Sequence, residues 1–420
     1  MLPDRVLRRL LRSEPTFALF GDLVRALAGI AVVICFGAWI AYYMFIVPTM
    51  FNELHMNDFG KFYYSTQLYL DGQGMYGPSP ATEMPVGRHE TRQLWNLNPP
   101  HFHLLILPLA GLSPLPAYAL WSAINIVALG LTLVLISREL RLRWTMLRII
   151  WALVAVVIWS ATYATVLTGQ LTFLLTLGIT VAWRAARQGR WTEAALWLGM
   201  LASVKPFLGV FWLYLIATRR FRPAMVMAGT ASACFALGLV VFGWVPHADW
   251  LRAIGDVIWT WAPMNASVAG IVARTLDVSP FFKPTWHAPS LVPLLSWLGA
   301  GVIALITYRE VVVTDDAGRI DRSFLLLLLM AQLVAPLGWV YYTWLVVGPL
   351  LAWWPTRARS ASTSMLWCVA VLGFVCPVPF TIEWAESRWT APTIGSAYFW
   401  MIISVWCAVM FSRRQPAAAP

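Results

Sequence analysis

Charge is what this sequence has least of: 12% of its 420 residues are charged, and only 19 are acidic. A soluble domain carries about a quarter charged residues, so a water-exposed globular protein is excluded. Lysine is nearly missing: of 30 basic residues only Lys61, Lys205 and Lys283 are lysine. The net charge of +11 comes from arginines that fall in small clusters between apolar runs, a membrane signature that implies no nucleic-acid partner. Cysteine is scarce too: Cys35, Cys234, Cys368, Cys376 and Cys407 all lie in apolar segments. An odd number inside spans argues against a disulfide framework and against a zinc site. A glycine-rich phosphate loop is missing, as are internal repeats, and the only low-complexity stretch is the tail QPAAAP.

Long hydrophobic runs are what remains, and 60% of the chain is hydrophobic. Ala26 to Val47 is 22 residues without a charge, enough to cross about 30 Å of hydrocarbon. It is too long for a cleaved signal peptide and reads as a retained signal anchor. Basic clusters occur at Arg5 to Arg25, Arg138 to Arg148, Arg184 to Arg190, Arg219 to Arg222, Arg309 to Arg322, Arg357 to Arg359 and Arg413 to Arg414. Together they hold 22 of the 30 basic residues. Placing all seven in the cytoplasm gives a consistent path of ten to twelve passes with both termini inside. The expected fold is an all-α polytopic bundle forming one integral membrane domain over residues 1–420. Its parts are a basic cytoplasmic N-terminus (1–25), a first extracytoplasmic loop (48–100), a second (244–289) and a cytoplasmic tail (412–420). The longest internal cytoplasmic loop, Arg309 to Arg322, has 14 residues and cannot hold a nucleotide-binding domain.

Two breaks are legible inside the apolar runs. Ile149 to Trp183 is 35 residues without a charge, about 50 Å as one helix, so a turn is expected near Gly169-Gln170. Ala194 to Val204 and Pro206 to Thr218, at 11 and 13 residues, are each too short to span. They predict a hairpin turning at Lys205-Pro206 within the membrane or near its outer surface; one helix kinked at Pro206 is the alternative. All six histidines (His55, His89, His101, His103, His247, His287) and all three lysines then fall on the outer side or at outward turns.

From Asp58 to Leu70, Phe59, Phe62, Tyr63, Thr66 and Leu70 share one helical face, and Asp71-Gly72 ends the helix. The spacing predicts an amphipathic helix along the outer interface. Asp58 reads either as its N-cap or as a general base held by the same helix end. Lys61 either orients Asp58 or snorkels to the interface. In NLNPPHFHLL, His101 and His103 suit interfacial or acceptor contacts better than a metal site. Lys205 at membrane depth requires an anionic partner, a lipid phosphate or a carboxylate. NASVAGIVART offers Asn265 and Arg274, the latter able to bind phosphate with two parallel bonds or simply to be solvated. Gln170 and Trp339 stand at the remaining outward turns.

These pieces, in this order, resemble glycosyltransferase family 87: DFGKFYYSTQLYLDGQGMYG, NPPHFHLLILPLAGL, TGQLTFLLTLG with LWLGMLASVKP, NASVAGIVAR, and APLGWVYYTWLVVGPL. They run from about Asp58 to Leu350. The family usually has Tyr-Pro-Pro where this chain has Asn98-Pro99-Pro100, and often Ser-Pro where it has Ala335-Pro336. The resemblance implies a GT-C membrane fold, with the family's acidic residue at Asp58 on an extracytoplasmic loop. It implies a donor that is a polyprenyl-phosphate sugar, with mannose favoured, and a glycolipid or glycan acceptor at the outer face of the plasma membrane. Asp58 would take the acceptor proton in a single inverting displacement. Lys205 and Arg274 would stabilise the leaving phosphate, and Lys61, Gln170, His101, His103, Asn265 and Trp339 would contact substrate. A monophosphate leaving group helped by basic residues needs no divalent ion, so no metal or other cofactor is expected.

Two rivals come from other classes. A secondary transporter suits many passes and broken helices, but calls for repeats and ionisable residues at midplane. A ligase or polymerase using a lipid-diphosphate donor would need more cations around a larger leaving group.

Overall fold

The computed structural model describes residues 57–79, 81–86, 90–93, 95–256, 259–279, 283–313, 320–354, 361–383 and 387–412, with 37, 39–41 and 44. Most of the Ala26–Val47 segment, the clusters at Arg5 to Arg25, Arg357 to Arg359 and Arg413 to Arg414, and the histidines His55 and His89 lie outside them.

The helices in chain order are α1 (Asn57–Leu70), α2 (Pro114–Glu139), α3 (Met146–Ile158), α4 (Ser160–Thr168), α5 (Thr172–Arg187) and α6 (Trp191–Val204). There follow α7 (Val210–Ala217), α8 (Phe221–Phe242), α9 (Trp244–Gly255), α10 (Val268–Leu276) and α11 (Val292–Val313). The last are α12 (Ile320–Val334), α13 (Val347–Trp353), α14 (Ala361–Val375), α15 (Val378–Glu383) and α16 (Ala397–Phe411). An antiparallel strand pair, β1 (Glu83–Val86) and β2 (Glu90–Gln93), is the one departure from the all-α expectation among the described residues. The fold is that of an all-α polytopic membrane protein.

Among the described residues, four segments are long and apolar enough to cross a membrane unaided: Pro114–Glu139, Phe221–Phe242, Pro289–Val313 and Ile394–Phe411. α3 and α4 together are a fifth, bent by 58° at Trp159. The described residues thus show four or five such segments against the expected ten to twelve passes; the shorter apolar pieces Pro206–Ala217 and Val340–Trp353 each begin in a 3-10 turn. Such breaks are tolerated where protein surrounds the backbone. At the centre stands α12, buried at every position from Ser323 to Leu333. A helix apolar all round belongs in the interior.

Both predicted breaks occur. α4 ends at Gly169, which takes the left-handed conformation (φ 64°), while the Gln170 N–H donates to the Thr165 carbonyl. A Cβ on Gly169 would lie 2.7 Å from the Phe59 Cβ, so the turn and α1 meet only because the residue is glycine. α6 stops at Val204, and after a 3-10 turn at Pro206–Gly209 the chain returns as α7. Arg220 then lies over the ring of Trp191, 4.2 Å from its centroid. The chain thus comes back to the end it left, and the single kinked helix is excluded.

Ion pairs close that same end. Glu139 accepts from Arg184 (3.2 Å) and Arg187 (2.9 Å), and Arg187 also reaches Asp321 at 3.1 Å. Arg322 pairs with Glu310 at 2.5 Å and donates to the Met410 carbonyl. Four basic clusters distant in sequence therefore gather at one end of the bundle. The turns at Gly169, Lys205 and Gly338 lie at the other, since α5, α6 and α12 run between the two.

α1 departs from its expected role as an interface helix. Phe59, Phe62, Tyr63 and Thr66 are buried against protein, with Phe62 edge-on to Phe102 at 4.9 Å and Phe59 5.2 Å from Tyr118, while Leu70 is exposed. Gly72 ends it with φ 73°.

Candidate active site

The end of the bundle opposite the ion pairs is where the scarce charges meet. Asp58 lies in the first turn of α1, after Asn57 rather than at the cap. Its carboxylate is engaged by side chains: Lys61 Nζ donates to Oδ1 at 2.9 Å, and Gln170 Nε2 donates to Oδ2 at 2.7 Å. The Lys61 contact spans one helical turn; the Gln170 contact spans 112 residues and depends on the glycine turn before it. Of the four acceptor positions on a carboxylate two are used, so Asp58 keeps lone pairs for a further proton donor. Its side chain is 20% exposed, enough to be reached. The Lys61 ammonium sits 5.9 Å from the Trp259 ring centroid, and Gln170 Oε1 is buried with no partner among the described residues.

Lys205 joins this group. It occupies the break between α6 and the 3-10 turn, within electrostatic reach of Asp58 and 5.8 Å from the Tyr342 ring centroid. Among the described residues its hydrogen-bond partner is neutral: Nζ donates to Asn98 Oδ1 at 2.8 Å. The site therefore gathers Asp58, Lys61, Gln170 and Lys205 from α1 and two separate turns. Asn98, Tyr342 and Trp259 complete it. Asn98 lies inside the motif NLNPPHFHLL, but its bond to Lys205 spans 107 residues and leaves no sequence signal.

Arg274 and Asn265 do not join it. Arg274 is fully buried, and its guanidinium donates to Ser396 Oγ (2.7 Å) and to the carbonyls of Ala262 (2.8 Å), Asn265 (3.0 Å) and Trp261 (3.3 Å). A guanidinium has five N–H donors, and this set consumes four. It locks a loop and is not available to a phosphate. Asn265 is likewise spent: Nδ2 donates to the Thr260 and Pro336 carbonyls, and Oδ1 accepts the Ser267 and Gly338 N–H groups. It joins NASVAG to APLGW through a bridge opposite Trp339. Gly338 is required there, since a Cβ would collide with the Gln332 carbonyl. Trp339 stacks on Tyr341 with centroids 6.2 Å apart, and its own carbonyl accepts from Gln332.

The two histidines part company. His103 is fully buried, with Nδ1 on the Thr66 hydroxyl at 2.8 Å and Nε2 on Asn96 Nδ2 at 2.9 Å. His101 packs against Phe235, and neither of its ring nitrogens has a partner among the described residues. Neither side chain reaches Asp58. Buried, satisfied groups of this kind are framework, which corrects the expectation that His103 touches substrate.

The sequence model of Glycosyltransferase family 87 matches residues 96–336, more than half the chain. The chain belongs to glycosyltransferase family 87. The match includes Asn98, Gln170 and Lys205 but not Asp58, Lys61 or Trp339. Among curated proteins, the chain is 24% identical over 340 residues to a polyprenol-phosphate-mannose-dependent alpha-(1-2)-phosphatidylinositol pentamannoside mannosyltransferase of Mycolicibacterium smegmatis. The similarity covers 75% of this chain and 77% of that protein. No solved structure matches. A family 87 chain with apolar spans is a membrane glycosyltransferase, which removes the transporter reading.

Proposed function

We propose that this enzyme transfers a sugar, mannose in the first instance, from a polyprenyl-phosphate donor to a hydroxyl of a glycolipid or glycan. Transfer occurs at the extracytoplasmic face of the cell membrane with inversion, and Asp58 is the general base. The observation that carries the reading is the convergence of Asp58, Gln170 and Lys205 at the end opposite the arginine clusters. Arginine-rich ends face the cytoplasm, so the site faces outward and both termini lie inside.

In the reaction, the acceptor hydroxyl attacks the anomeric carbon and loses its proton to Asp58, while polyprenyl phosphate leaves from the opposite side. One displacement needs one base and no covalent intermediate. Lys61 and Gln170 hold the carboxylate by both oxygens and aim its free lone pairs. The Gln170 Oε1 is an acceptor for a sugar hydroxyl. Negative charge grows on the departing phosphate, and Lys205 supplies a fixed cation for it. Because a neutral amide holds that ammonium, its charge remains available to the phosphate.

With Lys61 paired to Asp58 and Arg274 spent on carbonyls, the charge balance fits a monophosphate rather than a diphosphate leaving group. Purified enzyme offered matched polyprenyl-phosphate and polyprenyl-diphosphate sugars tests this. Transfer from the monophosphate, with product of inverted configuration by NMR, is the expected result. Preferential use of the diphosphate, or retained configuration, contradicts it.

A further inference from the structure

We infer that Asn98 is a positioning residue for the Lys205 ammonium, oriented by a directional chain of hydrogen bonds that begins at His103. This rests on the phosphate-binding role proposed for Lys205. Every bond in the chain has an assignable direction. The Thr66 hydroxyl donates to the Phe62 carbonyl at 2.9 Å, which spends its one proton. Toward His103 it can only accept, so His103 carries its proton on Nδ1 and presents Nε2 as an acceptor. Asn96 Nδ2 donates to that nitrogen and to Ser65 Oγ at 3.0 Å. Asn96 Oδ1 accepts the Asn98 backbone N–H at 3.0 Å, an independent check on the amide's orientation. The same oxygen accepts Asn98 Nδ2 at 3.1 Å, leaving Asn98 Oδ1 to face Lys205 Nζ at 2.8 Å.

A flipped Asn98 amide would set its NH2 against the ammonium and its oxygen against Asn96 Oδ1. Both contacts repel, so the chain permits one orientation only. Thr66, His103, Asn96 and Asn98 are all buried, where a broken link is costly because no water replaces it. The backbone is pinned as well: Tyr76 donates to the Asn98 carbonyl at 2.5 Å and Trp250 to the Leu97 carbonyl at 3.1 Å. Pro99 then fixes the extended exit (φ −68°, ψ 157°).

The consequence is chemical. Lysine is a point charge on a flexible four-carbon stem, and alone it would pay to be ordered at each turnover. Asn98 takes one of its three N–H groups and aims the other two without neutralising the charge. The titratable groups facing the ammonium are Asp58 and Tyr342, with Lys61 beyond Asp58.

The test is the pH dependence of kcat and KM for the donor in wild type, Asn98→Leu, Asn98→Asp, Lys205→Met and the Asn98→Leu/Lys205→Met double variant. Thermal unfolding confirms that each is folded, and the near-isosteric Asp keeps the packing. Asn98→Leu should lower kcat/KM about 10- to 100-fold, as loss of a hydrogen bond to a charged group does. It should also move the alkaline limb to lower pH, by about one unit, because the charged form loses its acceptor. Asn98→Asp should move that limb to higher pH and raise the donor KM, since a carboxylate holds the ammonium but cancels its charge. A purely structural residue does not shift the limb in opposite directions. In the Lys205→Met background Asn98→Leu should cost far less, because the two act as a unit. The inference alone falls if Lys205→Met is crippled while Asn98→Leu is neutral, or if Asn98→Leu costs the same in both backgrounds. If Lys205→Met itself keeps wild-type kcat/KM, the phosphate role falls and the inference with it.

Discussion

Arg220 rests on the ring of Trp191, 29 residues earlier at the start of α6. The contact joins two arginine-bearing loops at one end of the bundle and makes Lys205 the far point of the excursion between them. Sidedness follows as a labelling pattern. In a cysteine-free background, Gln188→Cys and Arg219→Cys should react with an impermeant thiol reagent only from the cytoplasmic side. Gly72→Cys and Ser113→Cys should react only from the outside. Labelling of the first pair from outside would invert the proposed topology.

Gln170 is expected to matter through its bond to Asp58 Oδ2. Gln170→Leu removes a hydrogen bond to a charged group, worth about 1.5–3 kcal/mol, and should reduce kcat/KM about 10- to 100-fold. Gln170→Glu places a like charge beside Asp58, and the pair then shares a proton to higher pH. Its acid limb should therefore move up in pH, as a pH–rate profile would show. An unchanged limb would mean that the two groups do not meet in the working enzyme.

The short turn at Pro100–Leu105 makes stability depend on pH. Burial pushes His103 down to about 3 and His101 down to about 4, whereas the unfolded chain titrates near 6.5. Between these values the unfolded state binds more protons, so acid favours it. The contribution is complete above about pH 6.5 and is lost as pH falls toward 4, at up to about 1.4 kcal/mol per pH unit for each histidine. The melting temperature in detergent should fall over that window, and His103→Gln should flatten part of the fall. A melting temperature equally high at pH 4.5 and pH 7.5 would contradict it.

What the sequence revealed and what it hid have physical reasons. The turns at Gly169-Gln170 and Lys205-Pro206 were legible because a bilayer limits helix length and arginines mark one face. Asp58, Lys61, Gln170 and Lys205 stood out because charge and strong polarity are rare in such a chain, and the structure brings those four together. Arg274 and Asn265 were misleading for the same reason: polar residues between apolar runs also serve to satisfy buried carbonyls, as both do here. The bond from Lys205 to Asn98 was invisible, because no local periodicity encodes a contact across 107 residues. The inward packing of α1 was hidden as well, since an aromatic helix face suits lipid and protein equally.

Whether Asp58 is the base is decided by Asp58→Asn in the purified enzyme. The near-isosteric amide keeps shape and polarity but cannot take a proton. With polyprenyl-phosphate-mannose and a glycolipid acceptor, the variant should still bind donor while kcat falls by about two to four orders of magnitude. A variant that binds donor and turns over at the wild-type rate would contradict the account and send the search for the base elsewhere on the same face.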